Sequence, residues 1–314
     1  MLSYAIKRIA QALLVLWAAF TVSFLLLQAL PGDAVLIKFL GSDFGLDPNV
    51  IEQLRFSYGA DATLAERYVT TLTGFLRGDL GYSLHAGIPV AEALAPALPA
   101  TLSLAVCGFI AAFVLALLLT WLSFLPGMAF LHGFFRSVPS LLVSVPVFWL
   151  GILLIQVFSF QLGWVSVINP EPWEALVLPT LTLAVPIAAP LAQLLIRNFD
   201  AVLASPFVVT ARAKGAGQHW VLLFHVARNA VLPVLTVGGL LLGELLVGAV
   251  VTETVFGLNG LGRLTEVSVD NQDVAVLQAI VVMAAAGFVL TNLVVDFLYP
   301  VLDPRLRHRS GVLS

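Results

Sequence analysis

A short basic segment and a single carboxyl group are the residues of this chain best suited to chemistry. The stretch TARAKGAGQHW, at positions 210–220, carries Arg212 and Lys214 in a chain of which only 11% is charged. Two neighbouring cations can bind lipid phosphates at a membrane surface or acidic side chains of a protein partner. Glu244, in GGLLLGELLVGA, is the one ionisable residue well inside a long apolar run. A charge there is costly unless it is paired, protonated or facing water.

Glu244 has three interpretations that the sequence leaves open. The first is a polar group on a transport path that attracts a cationic substrate. The second is a protonated carboxyl group bonded to a neighbouring helix, and the third is the proton site of an ion-coupled transporter. Each of these keeps the carboxyl group from being an isolated charge in the bilayer.

No catalytic set accompanies these residues. The chain has neither a Gly-x-x-x-x-Gly-Lys-Ser/Thr phosphate loop nor a His-Glu-x-x-His zinc motif. Cys107 is the only cysteine, and we expect it to be a small buried residue. His85 stands alone, and His219 and His225 are expected to pack or to contact a partner. We therefore expect no enzyme activity and no cofactor or metal on this chain, and its net charge of -3 predicts no nucleic-acid partner.

The composition is that of an integral membrane protein. Of 314 residues, 60% are hydrophobic, and the charged fraction is far below the roughly 25% of soluble domains. Crossing a bilayer takes about 20 apolar residues. Segments of that length predict an all-α protein with six transmembrane helices, near 9–30, 100–122, 137–160, 176–196, 231–252 and 276–299. The third and fourth contain prolines that either kink helices along a pathway or reflect how common proline is in membranes: Pro139, Pro146, Pro179, Pro186 and Pro190.

The distribution of Lys and Arg predicts that both termini are cytoplasmic, because ten of the 15 then lie inside. We expect a first helix at 1–30, an extracytoplasmic region at 31–99, a five-helix core at 100–305 and a tail at 306–314. The core includes a cytoplasmic loop at 197–230. Two pieces of the outer region, DPNVIEQLRFSYG and TLAERYVTTLTGFL, predict short amphipathic helices that form a lid or a docking platform.

The basic segment has the signals of a short capped helix. Ser205 is an expected N-cap, and Pro206 suits the first helical position. A helix over 206–214 would end at Gly215, a residue that tolerates the left-handed conformation after the last turn. A second helical piece, QHWVLLFHVARNAV, would run to Leu232-Pro233. It would carry one apolar face of Trp220, Leu223, Phe224 and Ala227.

Residues near the ends of the later spans carry further expectations. Glu253, at the outer mouth, is expected at a solvated helix end, with a ligand site as the alternative. Asp296 and Asp303 are expected to form ion pairs at the membrane surface. Glycines in the fifth span predict close helix packing, at positions 238, 239, 243 and 248.

The segment TARAKG…HVARNAVLP resembles the cytoplasmic loop of permease subunits of ABC importers, in the branch that handles dipeptides, oligopeptides and nickel. Gly215, Leu232 and Pro233 stand where that loop has its glycine and its Leu-Pro, while Val209-Thr210-Ala211 replaces the Glu-Ala-Ala of the wider superfamily. Four other segments resemble the same branch in order along the chain: MLSYAIKRIAQALLVL…LLLQALPGD, GDLGYSLHAGIPVAEALAPALPATLSLA, VVTETVFGLNGLGRL and TNLVVDFLYPVLDPRLR.

The resemblance implies a type I ABC importer-like permease in the bacterial cytoplasmic membrane, working by alternating access. It implies a second homologous permease subunit, two cytoplasmic ATPase subunits that carry ATP and Mg²⁺, and an extracytoplasmic substrate-binding protein. The cytoplasmic loop would contain a coupling helix in a cleft on the ATPase, with the fifth span near the permease–permease interface. In this chain the coupling residues would be Ser205, Thr210, Ala211, Arg212, Ala213, Lys214, Gly215 and Gly217.

The expected cargo is a di- or oligopeptide. An alternative is nickel or a metal chelate, since members of the nickel branch resemble this chain in carrying Gly-Glu-Leu at Glu244. An ion-coupled secondary transporter remains the alternative outside the ABC class, and a membrane-embedded enzyme would need a polar cluster that the sequence lacks.

Overall fold

Helices make up most of the computed structural model, which describes residues 2–29, 63–125 and 129–302. In chain order the helices are α1 Leu2–Gln28, α2 Leu64–Leu76, α3 Val90–Phe124, α4 His132–Val143, α5 Val147–Leu154, α6 Glu174–Leu203, α7 Pro206–Ala213, α8 Gln218–Trp220, α9 Arg228–Phe256, α10 Leu261–Asp270 and α11 Val274–Leu302. A 3-10 turn, Ala129–Leu131, precedes α4, and π-helical turns follow α5 and α8 at Ile155–Gln161 and Val221–Ala227. Two short strands, β1 Tyr82–Ser83 and β2 Ile88–Pro89, pair antiparallel with Tyr82 opposite Pro89. The segment DPNVIEQLRFSYG and Asp303 lie outside the described residues.

The all-α prediction is confirmed, and the predicted spans fall on helices. Four helical stretches are long and apolar enough to cross a membrane: Ala5–Gln28, Val90–Phe124, Glu174–Leu203 and Val274–Val294. Two bent helix pairs raise the number of candidate spans to six if each pair counts as one. One pair joins α4 to α5 with its π-helical turn, and the other lies within α9, where Val237–Gly243 and Gly248–Phe256 meet at 51°.

The predicted third span at 137–160 is broken rather than merely kinked. Helices α4 and α5 meet at 108°, and Pro146 sits at the break with extended backbone angles of φ -63° and ψ 136°. Proline disfavours helical geometry at the residue before it and has no N–H to continue the ladder. The prolines therefore correctly indicated a distorted span, but the prediction of one continuous helix over 137–160 was wrong.

Helix α6 contains three prolines and still runs without a break from Glu174 to Leu203. It is the most buried of the long apolar helices, with 56% of its apolar window inside the protein. Neighbouring helices hold a proline-containing helix together when they pack tightly around it. Tight packing on its neighbours thus accounts for the continuity of α6.

Helix α3 begins at Val90, well before the predicted start at residue 100, and Pro96 and Pro99 lie within it. The early start has a packing reason. Val90 and Leu94 are buried in an apolar cluster with Val276 and Ile280 of α11. This cluster belongs to a compact unit formed by residues 1–101 and 259–290, while residues 102–258 and 291–314 form a second unit.

Helix α2 confirms the amphipathic helix predicted for TLAERYVTTLTGFL. Thr63 and Glu66 form a capping box: the Thr63 N–H donates to Glu66 Oε2 at 2.8 Å, and the Glu66 N–H donates to Thr63 Oγ1 at 3.3 Å. The backbone hydrogen bond from Thr63, followed by the one from its hydroxyl, lowers the pKa of Glu66 from its usual 4.5. Tyr68 attaches the helix to α1 through a 2.8 Å hydrogen bond between its hydroxyl and Thr21 Oγ1.

The core of the second unit is built around α6. Leu183, on α6, is 1% exposed and lies between Gly108 of α3 and Gly248 of α9. A Cβ on either glycine would come within 2.9 Å of a Leu183 methyl carbon. A Cβ on Gly238 would likewise lie 3.4 Å from Phe109 Cζ. The predicted close packing is confirmed at Gly248, whose neighbour is Leu183, whereas a Cβ on Gly238 would make an ordinary van der Waals contact with Phe109.

Two expectations about burial are wrong. Glu253, predicted at a solvated helix end, is 1% exposed. It lies one turn before Gly257, which ends α9 with φ 64°, so the side of the helix rather than nearness to its end decided burial. Cys107, predicted to be buried, is exposed beside the outward-facing Val106 and Ile110 of α3. An apolar outward face is normal for a helix in lipid, so a small apolar residue need not be buried there.

Candidate functional site

Helix α7 starts at the predicted residue, but the Ser205 hydroxyl does not make the hydrogen bond expected of an N-cap side chain. Ser205 has the extended backbone of an N-cap, φ -74° and ψ 144°, and Pro206 occupies the first helical position. The Ser205 hydroxyl makes no capping hydrogen bond and instead donates to the Ala201 carbonyl of α6 at 3.4 Å. The Ser205 N–H also donates to the Val202 carbonyl, at 3.0 Å. Ser205 therefore ties α7 to the end of α6.

The end of α7 is a Schellman motif, as the predicted role of Gly215 requires. Gly215 has φ +89°, and its N–H donates to the Arg212 carbonyl at 2.9 Å. The Ala216 N–H closes the motif by donating to the Ala211 carbonyl at 3.1 Å. A side chain at Gly215 would be strained by about 1–2 kcal/mol in this conformation.

The second helical piece continues further than predicted. Helix α8 passes into the π-helical turn Val221–Ala227 and then into α9 without ending at Pro233. The predicted apolar face is the outward one, because Trp220, Leu223 and Phe224 are about half exposed or more. The buried residues of this stretch are Val221, Leu222 and Val226.

Helix α7 is anchored to the core rather than suspended from a loop. Val208 is fully buried in the same cluster as Val221, Leu222 and Val226, and Phe199 of α6 belongs to that cluster as well. We call Ser205–Ala227 the coupling segment, after the role that the sequence resemblance predicts for this loop. Its position is further fixed by the ring of His219, whose centre lies 6.3 Å from that of Trp121 on α3.

The coupling segment encloses a cleft of about 550 Å³ that the sequence did not reveal. It is lined by Phe207, Thr210, Ala211, Lys214, Gly215, Ala216, Trp220 and His225. The three rings form a contact chain, with centres 4.7 Å apart for Trp220 and His225 and 6.3 Å apart for Phe207 and His225. Both histidines of the segment thus pack against aromatic rings, as expected.

The predicted coupling residues divide into three groups. Thr210, Ala211, Lys214 and Gly215 line the cleft. Arg212 and Ala213 are exposed on α7 and are not among the lining residues. Ser205 and Gly217 lie at the N-caps of α7 and α8. Phe207 and Trp220 also line the cleft, although they were not among the predicted coupling residues. The turn at Gly215 brings them to the same site.

The coupling segment is electropositive. From Ala201 to Gly243 the sequence contains no Asp or Glu, whereas Arg212, Lys214 and Arg228 are cationic. The nearest acidic residue before this stretch, Asp200, is already paired: it accepts hydrogen bonds from Arg136 at 2.8 and 3.2 Å. Charge on the segment therefore suits a partner surface that is neutral or acidic.

Glu244 lies within α9, but its side chain and that of Asp296 lie outside the described part of the structure. The three interpretations of Glu244 therefore stay predictions. Within residues 2–29, 63–125 and 129–302, no group of three His, Cys, Asp or Glu side chains could hold a metal ion.

Comparisons with known proteins agree on one family. Residues 120–308 match the family described as binding-protein-dependent transport system inner membrane component, and residues 1–105 match the N-terminal part of such membrane components. The chain is 36% identical over 309 residues to the glutathione transport system permease protein GsiC of Escherichia coli O6:H1, covering 98% of this chain and all of that protein. The proteins of the same name from Escherichia coli K12 and Shigella dysenteriae serotype 1 are 35% identical over the same coverage.

Two solved transporters share the fold. An inward-facing structure of the MetNI methionine ABC transporter matches with a TM-score of 0.55 and 19% identity, covering 67% of this chain and 96% of that chain. A crystal structure of an amino acid ABC transporter matches with a TM-score of 0.50 and 18% identity, covering 68% and 94%. Proteins of this family are multi-pass inner-membrane permeases that work with ATPase subunits and a binding protein. The chain therefore belongs to the inner membrane components of binding-protein-dependent transport systems, as a type I-like ABC importer permease and not an enzyme.

Proposed function

We propose that this permease imports short peptides and that its coupling segment receives the movement of the ATPase. The observation that carries the proposal is the anchored, capped helix α7, which presents exposed cations while Val208 holds it in the core. The cargo assignment rests on relatives named for glutathione transport, at 35–36% identity over the whole chain. Glutathione is a tripeptide, so it falls within the di- and oligopeptide class predicted from sequence.

The complete machine would contain a second homologous permease, two ATPases carrying ATP and Mg²⁺, and the binding protein. Both termini and the coupling segment would face the cytoplasm, and transport would proceed by alternating access. ATP-driven closure of the ATPases would move α7, and the core around Val208 would carry this displacement to α6.

Replacing Gly215 by Asp tests the coupling role. Gly215→Asp adds strain and places a negative charge beside Arg212 and Lys214 at the Schellman turn, so ATPase co-purification and ATP-driven uptake in proteoliposomes should fall at least tenfold. Gly163 supplies a matched control, because it also has positive φ (+63°) and open space around it but lies on the predicted outer side. Gly163→Asp should leave ATPase binding intact. Normal assembly and uptake by Gly215→Asp would show that this segment does not couple.

Cargo is tested separately, with the intact complex and its cognate binding protein. Uptake of labelled glutathione, dipeptides and longer peptides is compared with that of nickel and nickel chelates. Peptide uptake that requires ATP is the expected result. Uptake of nickel chelates without peptide uptake would replace the peptide assignment and leave the coupling assignment untouched. Glu244→Gln, measured at limiting and saturating substrate, would remove Glu244 from the path if both rates stayed unchanged.

A further inference from the structure

We propose that the cleft in the coupling segment is a socket for the ATPase. An apolar side chain of the ATPase, flanked by a carboxylate, would enter between α7 and the π-helical turn. The interface would then be reciprocal, with α7 docking on the ATPase and the ATPase docking in the cleft. This inference rests on the proposed coupling function and adds a second contact to it.

The lining of the cleft determines what fits. Phe207, Ala211, Ala216 and Trp220 give it apolar walls, and its volume of about 550 Å³ exceeds what one side chain needs. Lys214 is its only residue with a permanent charge. An apolar group would suit the apolar walls. A carboxylate beside it would pair with the ammonium group of Lys214, which would otherwise lose water without gaining a partner.

Charge complementarity favours a protein carboxylate. No acidic residue occurs between Ala201 and Gly243, so no carboxylate from this stretch competes for Lys214. Lys214 is exposed and makes no described ion pair. An incoming carboxylate would therefore meet a cation without displacing one of the segment's own partners.

The cleft is formed in advance of any partner. The Schellman hydrogen bonds at 2.9 and 3.1 Å fix the turn at Gly215, and buried Val221 and Val226 anchor the π-helical turn in the core. Phe207 and Trp220 remain 46% and 49% exposed. Partly exposed aromatic residues in a preformed pocket are typical of binding hot spots, because little entropy is lost when a partner binds.

Two alanines on α7 give a matched pair of variants. Ala211 lines the cleft, whereas Ala213, on the same helix, is exposed and does not. Ala211→Trp places an indole ring in the cleft, where it occupies space needed by an incoming side chain, and substitutes no residue on the outward surface of α7. We expect it to weaken ATPase binding, measured on the complete permease pair in nanodiscs, at least tenfold. Ala213→Trp reports how far the outward surface alone tolerates bulk.

Lys214 and Arg212 form a second pair, which stands even if Ala211→Trp fails to assemble. Lys214→Glu should weaken ATPase binding about tenfold more than Arg212→Glu, and Lys214→Met, which keeps the apolar stem, should lose only the salt-dependent part. Equal effects of the two Glu variants would count against the carboxylate in the socket.

The outcomes separate the socket from the coupling function. If the Ala211→Trp permease binds the ATPase within twofold of wild type while the Gly215→Asp permease does not bind it, the socket proposal is wrong and the coupling role stands. If neither variant affects binding, both proposals are wrong. If the Ala211→Trp effect appears only when the nanodiscs contain anionic lipid, lipid headgroups occupy the cleft and the socket proposal is wrong.

Discussion

Leu183 is held from both sides, so adding one methyl group to either neighbouring glycine should destabilise the permease. Its Cδ2 would lie 2.9 Å from a Cβ on Gly108, and its Cδ1 would lie 2.9 Å from a Cβ on Gly248. Rotation away from one glycine drives the side chain into the other. Gly108→Ala is the more severe change, since its Cβ would also meet Leu183 Cγ at 3.3 Å and Cβ at 3.5 Å.

The size of the effect follows from two opposing contributions. Overpacking costs about 1–3 kcal/mol, while Gly→Ala within a helix gains up to about 1 kcal/mol. We expect Gly248→Ala to lower the free energy of unfolding by about 0–3 kcal/mol and Gly108→Ala to lower it by more than Gly248→Ala does. Leu183→Ala alone should cost about 2–5 kcal/mol because it leaves a cavity.

A double-mutant cycle isolates the contact. In the Leu183→Ala background both Gly→Ala changes should become neutral or stabilising, because the methyl groups that they met are gone. Unfolding in mixed detergent micelles, followed by fluorescence, supplies the free energies. Gly133→Ala is the control, since nothing lies within 4 Å of a Cβ there. Additivity within about 0.5 kcal/mol would refute the steric explanation.

Three further predictions concern polar contacts. Arg136→Ala removes a pair whose side chains are 41% and 48% exposed, so it should cost only about 0.2–1 kcal/mol, and thermal melts in high salt should show a smaller loss. Asp273→Ala removes the buried acceptor of the β1 serine hydroxyl, 2.5 Å away, and should cost about 1–3 kcal/mol, seen as faster proteolysis of the hairpin. Because the pKa of Glu66 is lowered in the folded protein, the capping box should stabilise α2 above pH 4.5 and lose this effect as the pH falls below 4.5 through the folded-state pKa. The protection of the Thr63 amide from hydrogen exchange, corrected for the intrinsic exchange rate at each pH, checks this, and Glu66→Gln should abolish the pH dependence of that protection.

Local chemistry was enough to predict the elements whose signals are short. The start at Pro206 and the left-handed end at Gly215 were both correct, because a helix terminus depends on its own few residues. Helix α2 was predicted from its amphipathic pattern alone, and the structure adds the capping box of Thr63 and Glu66 at its start. The Ser205 hydroxyl was the exception, since the end of α6 offered it the Ala201 carbonyl.

Features that depend on tertiary packing were not predictable. Pro146 breaks a span and Pro186 does not, although both stand in apolar sequence. The sequence correctly predicted that Trp220 and Phe224 share one apolar face of their helix. In the structure that face points outward. In a membrane protein lipid-facing and core-facing residues are both apolar, so hydrophobicity identifies a face without saying what it contacts. The cleft was not predictable for a related reason, because Phe207, Trp220 and His225 come together through tertiary contacts after the chain turns at Gly215.

The connection between α6 and α7 determines how a push on the coupling segment would travel. Only Ala204 and Ser205 separate the two helices, and Ser205 bonds back to α6 through both its N–H and its hydroxyl. Val208 is packed against the same core as Phe199, so bending at this joint would cost buried contacts on both sides. A force on α7 would therefore move α6 as a body. Since α6 packs against α4, α5 and α9, the break at Pro146 between α4 and α5 is where the surrounding helices can yield to that movement.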